Sequence, residues 1–147
     1  MSNQIHTDAA PKPVGAYPHA RRVGDLLFCS GVGPRAPGEN TVPGVTLDTD
    51  GNMVEYDFEA QCRACFENVR TVVEAGGAKF EDVVDVQVYL TDLPRDFALF
   101  NALWKEYFAG EGKPNPCRTT IEVSRLPQGG NAPIAVELKV VASVRPG

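Results

Sequence analysis

Polar and apolar residues alternate along this chain in two rhythms, and the rhythms outline its elements. Phe58, Cys62, Cys65, Phe66, Val69, Val72 and Val73 recur at three- and four-residue steps, which is one face of a helix with 3.6 residues per turn. Asp57 stands where a capping carboxylate belongs, and Gly76-Gly77 can end the helix. A second helix is predicted after Asp92 or Leu93, with Phe97, Phe100, Trp104, Tyr107 and Phe108 as its apolar stripe. Between the helices Val84, Val86, Val88 and Leu90 alternate with Asp85, Gln87 and Tyr89, the period of a half-buried strand. Two strand-like runs, 19–23 and 26–32, flank Gly24-Asp25 near the start, a pair suited to a tight hairpin. Two more close the chain, at 118–124 and 134–144. In the first, Thr119, Ile121 and Val123 share one face and Arg118, Thr120, Glu122 and Ser124 the other.

The predicted order is β-β-α-β-α-β-β, in one domain spanning 1–147. Two amphipathic helices can cover one face of a mostly antiparallel sheet. The other face is expected to carry Arg118, Glu122, Glu137 and Lys139, and to be either wet or pressed against another subunit. Residues 1–16 are predicted to be an irregular arm leading to Tyr17. Residues 33–55 hold Gly33, Pro34, Pro37, Gly38, Pro43, Gly44 and Gly51 and are predicted to be loop, with one short extended piece near 42–47. A loop of that length inside a compact domain is often functional.

Composition narrows the partners. The chain has 147 residues, 43% of them hydrophobic, and a formal net charge of -5. No run of Lys and Arg supplies the basic footprint of a nucleic-acid binder. No segment approaches the roughly 20 apolar residues of a membrane helix, and the polar N-terminus does not resemble a signal peptide. A cytoplasmic protein is expected. Cys29, Cys62, Cys65 and Cys117 are expected to be reduced, mostly buried thiols.

Several familiar signatures fail on spacing. Gly112-Lys113 has Tyr107 where a phosphate-binding loop needs its first glycine. Gly31-Val32-Gly33 lacks the third glycine of a dinucleotide fingerprint, and Phe28 stands where a nucleophile elbow before Ser30 needs glycine. In Asp48-Thr49-Asp50-Gly51-Asn52, Met53 occupies the turn position that a calcium loop reserves for glycine. Cys62 and Cys65 lie on the apolar stripe of a helix with no matching ligand pair, so no metal site is expected there.

Arg118 and Glu137 are charged residues inside otherwise apolar strands, and such residues need partners or water. They are either part of a solvated sheet face or a functional pair, with an arginine fork gripping a carboxylate and a glutamate handling a proton or water. Composition does not decide between these.

The run 115–127 (Asn-Pro-Cys-Arg-Thr-Thr-Ile-Glu-Val-Ser-Arg-Leu-Pro) and Ile134-Ala135-Val136-Glu137-Leu138-Lys139-Val140-Val141-Ala142 resemble the C-terminal signature of the RidA/YjgF family. Gly15-Ala16-Tyr17, Phe28-Cys29-Ser30-Gly31, Asp96-Phe97, Asn101 and Tyr107-Phe108 resemble its earlier motifs. The resemblance spans nearly the whole chain. It implies a chorismate-mutase-like α+β subunit, three to a ring, with active sites between neighbours. It also implies hydrolysis of reactive enamines or imines, with release of ammonia and no metal or organic cofactor. It assigns carboxylate binding to Arg118, activation of water to Glu137, and cleft positions to Tyr17, Ser30, Asn101 and Thr120. Thr120 stands where many members have Cys, Pro18-His19 replaces Ser-Gln, and the 33–55 loop is longer than usual. Segments 15–25, 43–48 and 95–97 resemble the 2-aminomuconate deaminase branch, which serves aromatic catabolism. That substrate carries a carboxylate at each end, and His19 and Arg35 are candidates for holding the second. The alternatives are a generic 2-imino-acid (2-aminoacrylate) deaminase and a non-catalytic regulatory trimer that binds 2-oxo acids.

Overall fold

A computed structural model describes residues 2–110 and 112–144. The two helices form where the apolar periodicity is strongest. Helix α1 spans Phe58–Ala75, and Asp57 caps it by accepting from the Ala60 amide at 3.1 Å. Helix α2 spans Leu93–Phe108, capped in the same way by Asp92 through the Arg95 amide. Their facing stripes meet in an aromatic cluster, with Phe66 stacked 4.4 Å from Tyr107 and Trp104 lying 4.3 Å from Phe108. Leu103 is fully buried with them, whereas Phe97, expected in the stripe, is left exposed at the sheet edge.

Strands β1 (Gln4–Ile5), β2 (Ala20–Val23), β3 (Leu26–Cys29), β6 (Val83–Leu90), β7 (Cys117–Glu122) and β8 (Val136–Ser143) form one sheet in the order β1-β2-β3-β8-β6-β7. β2 and β3 are joined by the two-residue turn at Gly24-Asp25, where Gly24 takes a φ of 59°, the left-handed conformation that glycine adopts at little cost. Pairing is antiparallel except between β6 and β7, which α2 connects as a crossover. α1 lies over β3 and β8, and α2 over β6.

The strands differ from the sequence expectation in four places. The arm before Tyr17 is not wholly irregular, because β1 pairs with β2. The long loop contains a hairpin of its own, β4 (Val45–Leu47) with β5 (Met53–Tyr56), separate from the main sheet. A bulge between Val83 and Asp85 turns Val83 inward and leaves Val84 exposed, reversing the alternation expected at the start of β6.

The fourth correction bears on function. Val86, Val88 and Leu90 are buried beneath the helices, and they align in register with Arg118, Thr120 and Glu122. Arg118 and Glu122 therefore lie on the helix side of the sheet. In β8 the helix side belongs to Val136, Leu138, Val140 and Ala142, so Glu137 and Lys139 face the opposite way. Hydropathy put Thr119 and Ile121 on the core face of β7. At this edge α2 leaves room for polar side chains between helix and strand, and Ile121 is exposed instead. The open face also exposes Val23, Leu26 and Phe28. Among the described residues no helix is long and apolar enough to cross a membrane.

Candidate functional site

Glu137 lines a cleft between the N-terminal arm, the segment after β3 and the 127–134 loop. The cleft is open to solvent and has a cavity volume of about 100 Å³. Partial burial raises the carboxyl pKa of Glu137 above its ordinary value, because desolvation disfavours the charged form. Its carboxylate has no hydrogen bond or ion pair among the described residues. Gly31 sits directly against it, and a Cβ there would lie 2.7 Å from Oε2. On the same wall, the Ser30 hydroxyl donates to the Pro18 carbonyl at 2.7 Å and so fixes the turn carrying Tyr17. The Tyr17 ring is partly exposed in the cleft, and its hydroxyl accepts from the Val14 amide at 3.3 Å.

A second cluster lies on the other side of the sheet. Arg118 Nη2 donates to Asn101 Oδ1 at 2.8 Å, and its guanidinium rests 5.0 Å from the Trp104 ring centre and 5.5 Å from that of Phe100. The aromatic faces hold the cation in place. No carboxylate pairs with it among the described residues, and desolvation lowers its pKa. Two residues along the same face, the buried Thr120 hydroxyl has no hydrogen-bond partner, an arrangement that costs about 1–3 kcal/mol when nothing satisfies it. Arg118, Asn101 and Thr120 thus form one group, and Tyr17, Ser30 and Glu137 another.

The two groups do not meet within one chain. Glu137 aligns with Tyr89, which aligns with Ile121, three residues beyond Arg118. With strands about 4.8 Å apart and a rise of about 3.3 Å per residue, the Cα atoms of Arg118 and Glu137 are roughly 14 Å apart, with side chains on opposite faces. Reacting groups need contacts of about 3 Å.

His19 lines the cleft but is nine-tenths buried, with both ring nitrogens engaged. Nε2 lies 2.9 Å from the Pro11 carbonyl and Nδ1 accepts from the Thr7 amide, so the ring ties down the arm. It offers no free donor to a carboxylate. Burial pushes the Cys29 thiol up to about 11 and the Cys62 thiol up to about 12, and raises Cys65 as well. These thiols stay protonated, and only Cys117 is exposed. Among the described residues no three His, Cys, Asp or Glu side chains are grouped to hold a metal ion.

Two features escaped the sequence. Asp96 is buried, ion-paired to Arg95 at 2.8 Å and hydrogen-bonded by the Tyr56 hydroxyl at 3.0 Å, which docks the β4–β5 hairpin on the start of α2 close to Phe97. Burial, with Asp96 alongside, raises the Tyr56 pKa. The sequence marked Asp96 as part of a motif and as a charge one step off the apolar stripe, but not its pairing with Tyr56 across the fold. The other is Gly31, whose closeness to Glu137 depends on pairing between distant strands.

A model of the family described as Endoribonuclease L-PSP matches residues 7–144. The chain is 37% identical over 138 residues to a RutC family protein of Pyrococcus abyssi, covering 94% of each. It is 32% identical over 142 residues to the 2-iminobutanoate/2-iminopropanoate deaminase of Escherichia coli K12, covering 97% of this chain and 98% of that one. The solved structure of the E. coli YjgF gene product matches with a TM-score of 0.80 at 32% identity, covering 98% of this chain and all of that one. RidA from an Antarctic Psychrobacter matches with a TM-score of 0.79 at 31% identity, covering 96% and 98%.

Proposed function

The chain belongs to the endoribonuclease L-PSP family, the family of YjgF and RidA, and from that premise we propose that it is a deaminase of carboxylate-bearing enamines and imines. The observation that carries this reading is a pair of unneutralised charges: Arg118, held for an anion by Asn101 and aromatic rings, and Glu137, desolvated and unpaired in a cleft. The guanidinium fork binds the carboxylate next to the C=N carbon. Glu137 takes a proton from water as its oxygen adds to that carbon, then returns the proton to nitrogen. The hydroxyl of the resulting carbinolamine gives its proton to the nitrogen by way of Glu137, the C–N bond breaks as the C=O bond forms, ammonia leaves, and a 2-oxo acid remains. The free Thr120 hydroxyl is a further donor on the Arg118 side, and Tyr17 walls the Glu137 side.

The roughly 14 Å between Arg118 and Glu137, estimated from strand spacing and rise, asks for a second copy of the chain, so the proposed site joins Arg118 of one copy to Glu137 of the next. A head-to-tail contact of that kind closes into a ring, and the proposed ring has three members. The exposed Val23, Leu26 and Phe28 give the open face apolar surface to bury. Simple 2-imino acids, the substrates named for the E. coli relative, fit this machinery with no further residue. The narrower proposal, 2-aminomuconate, rests on the resemblance of segments 15–25, 43–48 and 95–97.

The test is complementation. Arg118→Lys and Glu137→Gln should each release little ammonia from freshly generated 2-aminoacrylate or 2-aminomuconate. Randomly mixed rings should regain about a quarter of the wild-type rate, because one interface in four then pairs two intact residues. Mixed rings with no regain would refute the shared site. Wild-type protein that binds 2-oxo acids but releases no ammonia from either substrate would refute the deaminase and leave a regulatory binder.

A further inference from the structure

Among the described residues four arginines are partly buried: Arg35, Arg63, Arg70 and Arg118. Arg63 pairs with Glu106 at 3.0 Å and Arg70 with Glu67 at 3.2 Å. Arg35 and Arg118 have no carboxylate partner among the described residues. The chain does not lack acids, with 19 Asp and Glu against 14 Lys and Arg. Arg118 is already accounted for as a carboxylate site. Arg35 has the same character, and it lines the cleft that holds Glu137.

Arg35 is also held in a fixed place. Its backbone carbonyl and that of Gly33 both accept from the buried Asn68 amide of α1, at 2.9 Å each. Its guanidinium donates from Nη1 to the Gly129 carbonyl and from Nη2 to the Lys12 carbonyl, so it bridges the arm and the 127–134 loop. A Cβ at Gly129 would stand 2.9 Å from Nη1, and one at Gly130 would stand 3.3 Å from Cδ; the two glycines leave the room it occupies. A guanidinium has five N–H donors, and two carbonyls occupy only part of that set. Carbonyls are neutral, so the positive charge stays uncancelled, and a part-buried charge without a counter-ion is costly. A clasp between two loops needs hydrogen bonds but no net charge.

We propose that Arg35 is a second carboxylate subsite, which makes the cleft selective for short dicarboxylate enamines and imines over monocarboxylate ones. This rests on the deaminase reading above. Val32 pairs with Leu138, the neighbour of Glu137, and three residues of chain reach at most about 10 Å. Arg35 therefore lines the same cleft as Glu137, three residues of chain beyond a strand contact next to it. One carboxylate lies on Arg118 of a second copy beside the reacting carbon, and the other on Arg35. Between the two candidates for the distal group, His19 has both ring nitrogens engaged, whereas Arg35 keeps free donors and its charge.

The test is calorimetric binding of 2-oxobutanoate and 2-oxoadipate, which share the 2-oxo-acid head and differ in the second carboxylate. Wild-type protein should bind 2-oxoadipate about 10- to 100-fold more tightly, the range for a charge-assisted hydrogen bond. Arg35→Gln keeps an amide donor for the carbonyls and should bring the ratio of the two affinities close to one. Arg35→Lys should keep part of the preference. Equal affinity for both acids in the wild type, which requires no variant, overturns the proposal. So does an Arg35→Gln protein that weakens both acids equally and keeps the ratio, because that is the behaviour of a clasp. If neither acid binds, or if Arg118→Lys leaves 2-oxobutanoate affinity unchanged, the deaminase reading itself falls and the subsite with it.

Discussion

Replacing Gly31 with Ala should slow the enzyme without unfolding it. Gly31 is exposed and is not among the glycines with positive φ, so alanine suits its backbone, and the stiffer chain gains up to about 1 kcal/mol through the unfolded state. The new Cβ would lie 2.7 Å from Glu137 Oε2 and 2.9 Å from its Cδ. Ordinary contact begins at 3.4 Å, so the carboxylate must retreat by about 0.7 Å. It is the far end of a flexible side chain facing a cleft, and the retreat costs little stability. It does displace the group proposed to position water, and a misplacement of about 1 Å can lower a rate by about 100-fold. The expected result is a 10- to 100-fold lower kcat in steady-state ammonia release, with 2-oxobutanoate affinity nearly retained. Thermal unfolding should stay within about 0.5 kcal/mol of wild type or show a gain. Normal turnover would refute the link between Glu137's position and catalysis. A loss of several kcal/mol would show that Gly31 is needed for the fold.

Arg118→Lys keeps the charge but loses the fork and the guanidinium's place beside Trp104 and Phe100, so 2-oxobutanoate affinity and kcat/KM should both fall, by about 10-fold or more; calorimetry and steady-state kinetics measure the two. Glu137→Gln should keep ligand affinity and lower kcat by about 10²- to 10⁴-fold. The raised pKa of folded Glu137 means that the folded protein binds more protons than the unfolded chain between the two pKa values. Wild-type stability should therefore fall relative to Glu137→Gln as pH climbs from the ordinary glutamate value, about 4.3, through the raised one, and hold level above it. Melting curves of both proteins against pH test this, and parallel curves would count against the desolvated carboxyl. Asp96→Ala leaves the Tyr56 hydroxyl and Arg95 without their buried partner; it should cost about 2 kcal/mol in denaturant unfolding, less than a fully buried pair because Arg95 is partly in water.

Local rules carried much of this protein. Helix α1, its Asp57 cap and its Gly76 stop follow from spacing, capping chemistry and glycine, all set within a few residues. The Gly24-Asp25 hairpin is equally local, and so is the oddity of Arg118 and Glu137 among apolar neighbours. The bulge at Val83 and the pairing of β1 were not legible, because each depends on the partner strand as much as on the residues themselves. Alternation reveals which residues of one strand share a face, but the phase between two strands is set by register. That is why Arg118 and Glu137, which look alike in sequence, lie on opposite sides of the sheet. Only the tertiary structure showed that His19 has both nitrogens engaged while Arg35 keeps its charge, since their partners Thr7, Pro11, Lys12 and Gly129 come together through folding and not through spacing along the chain.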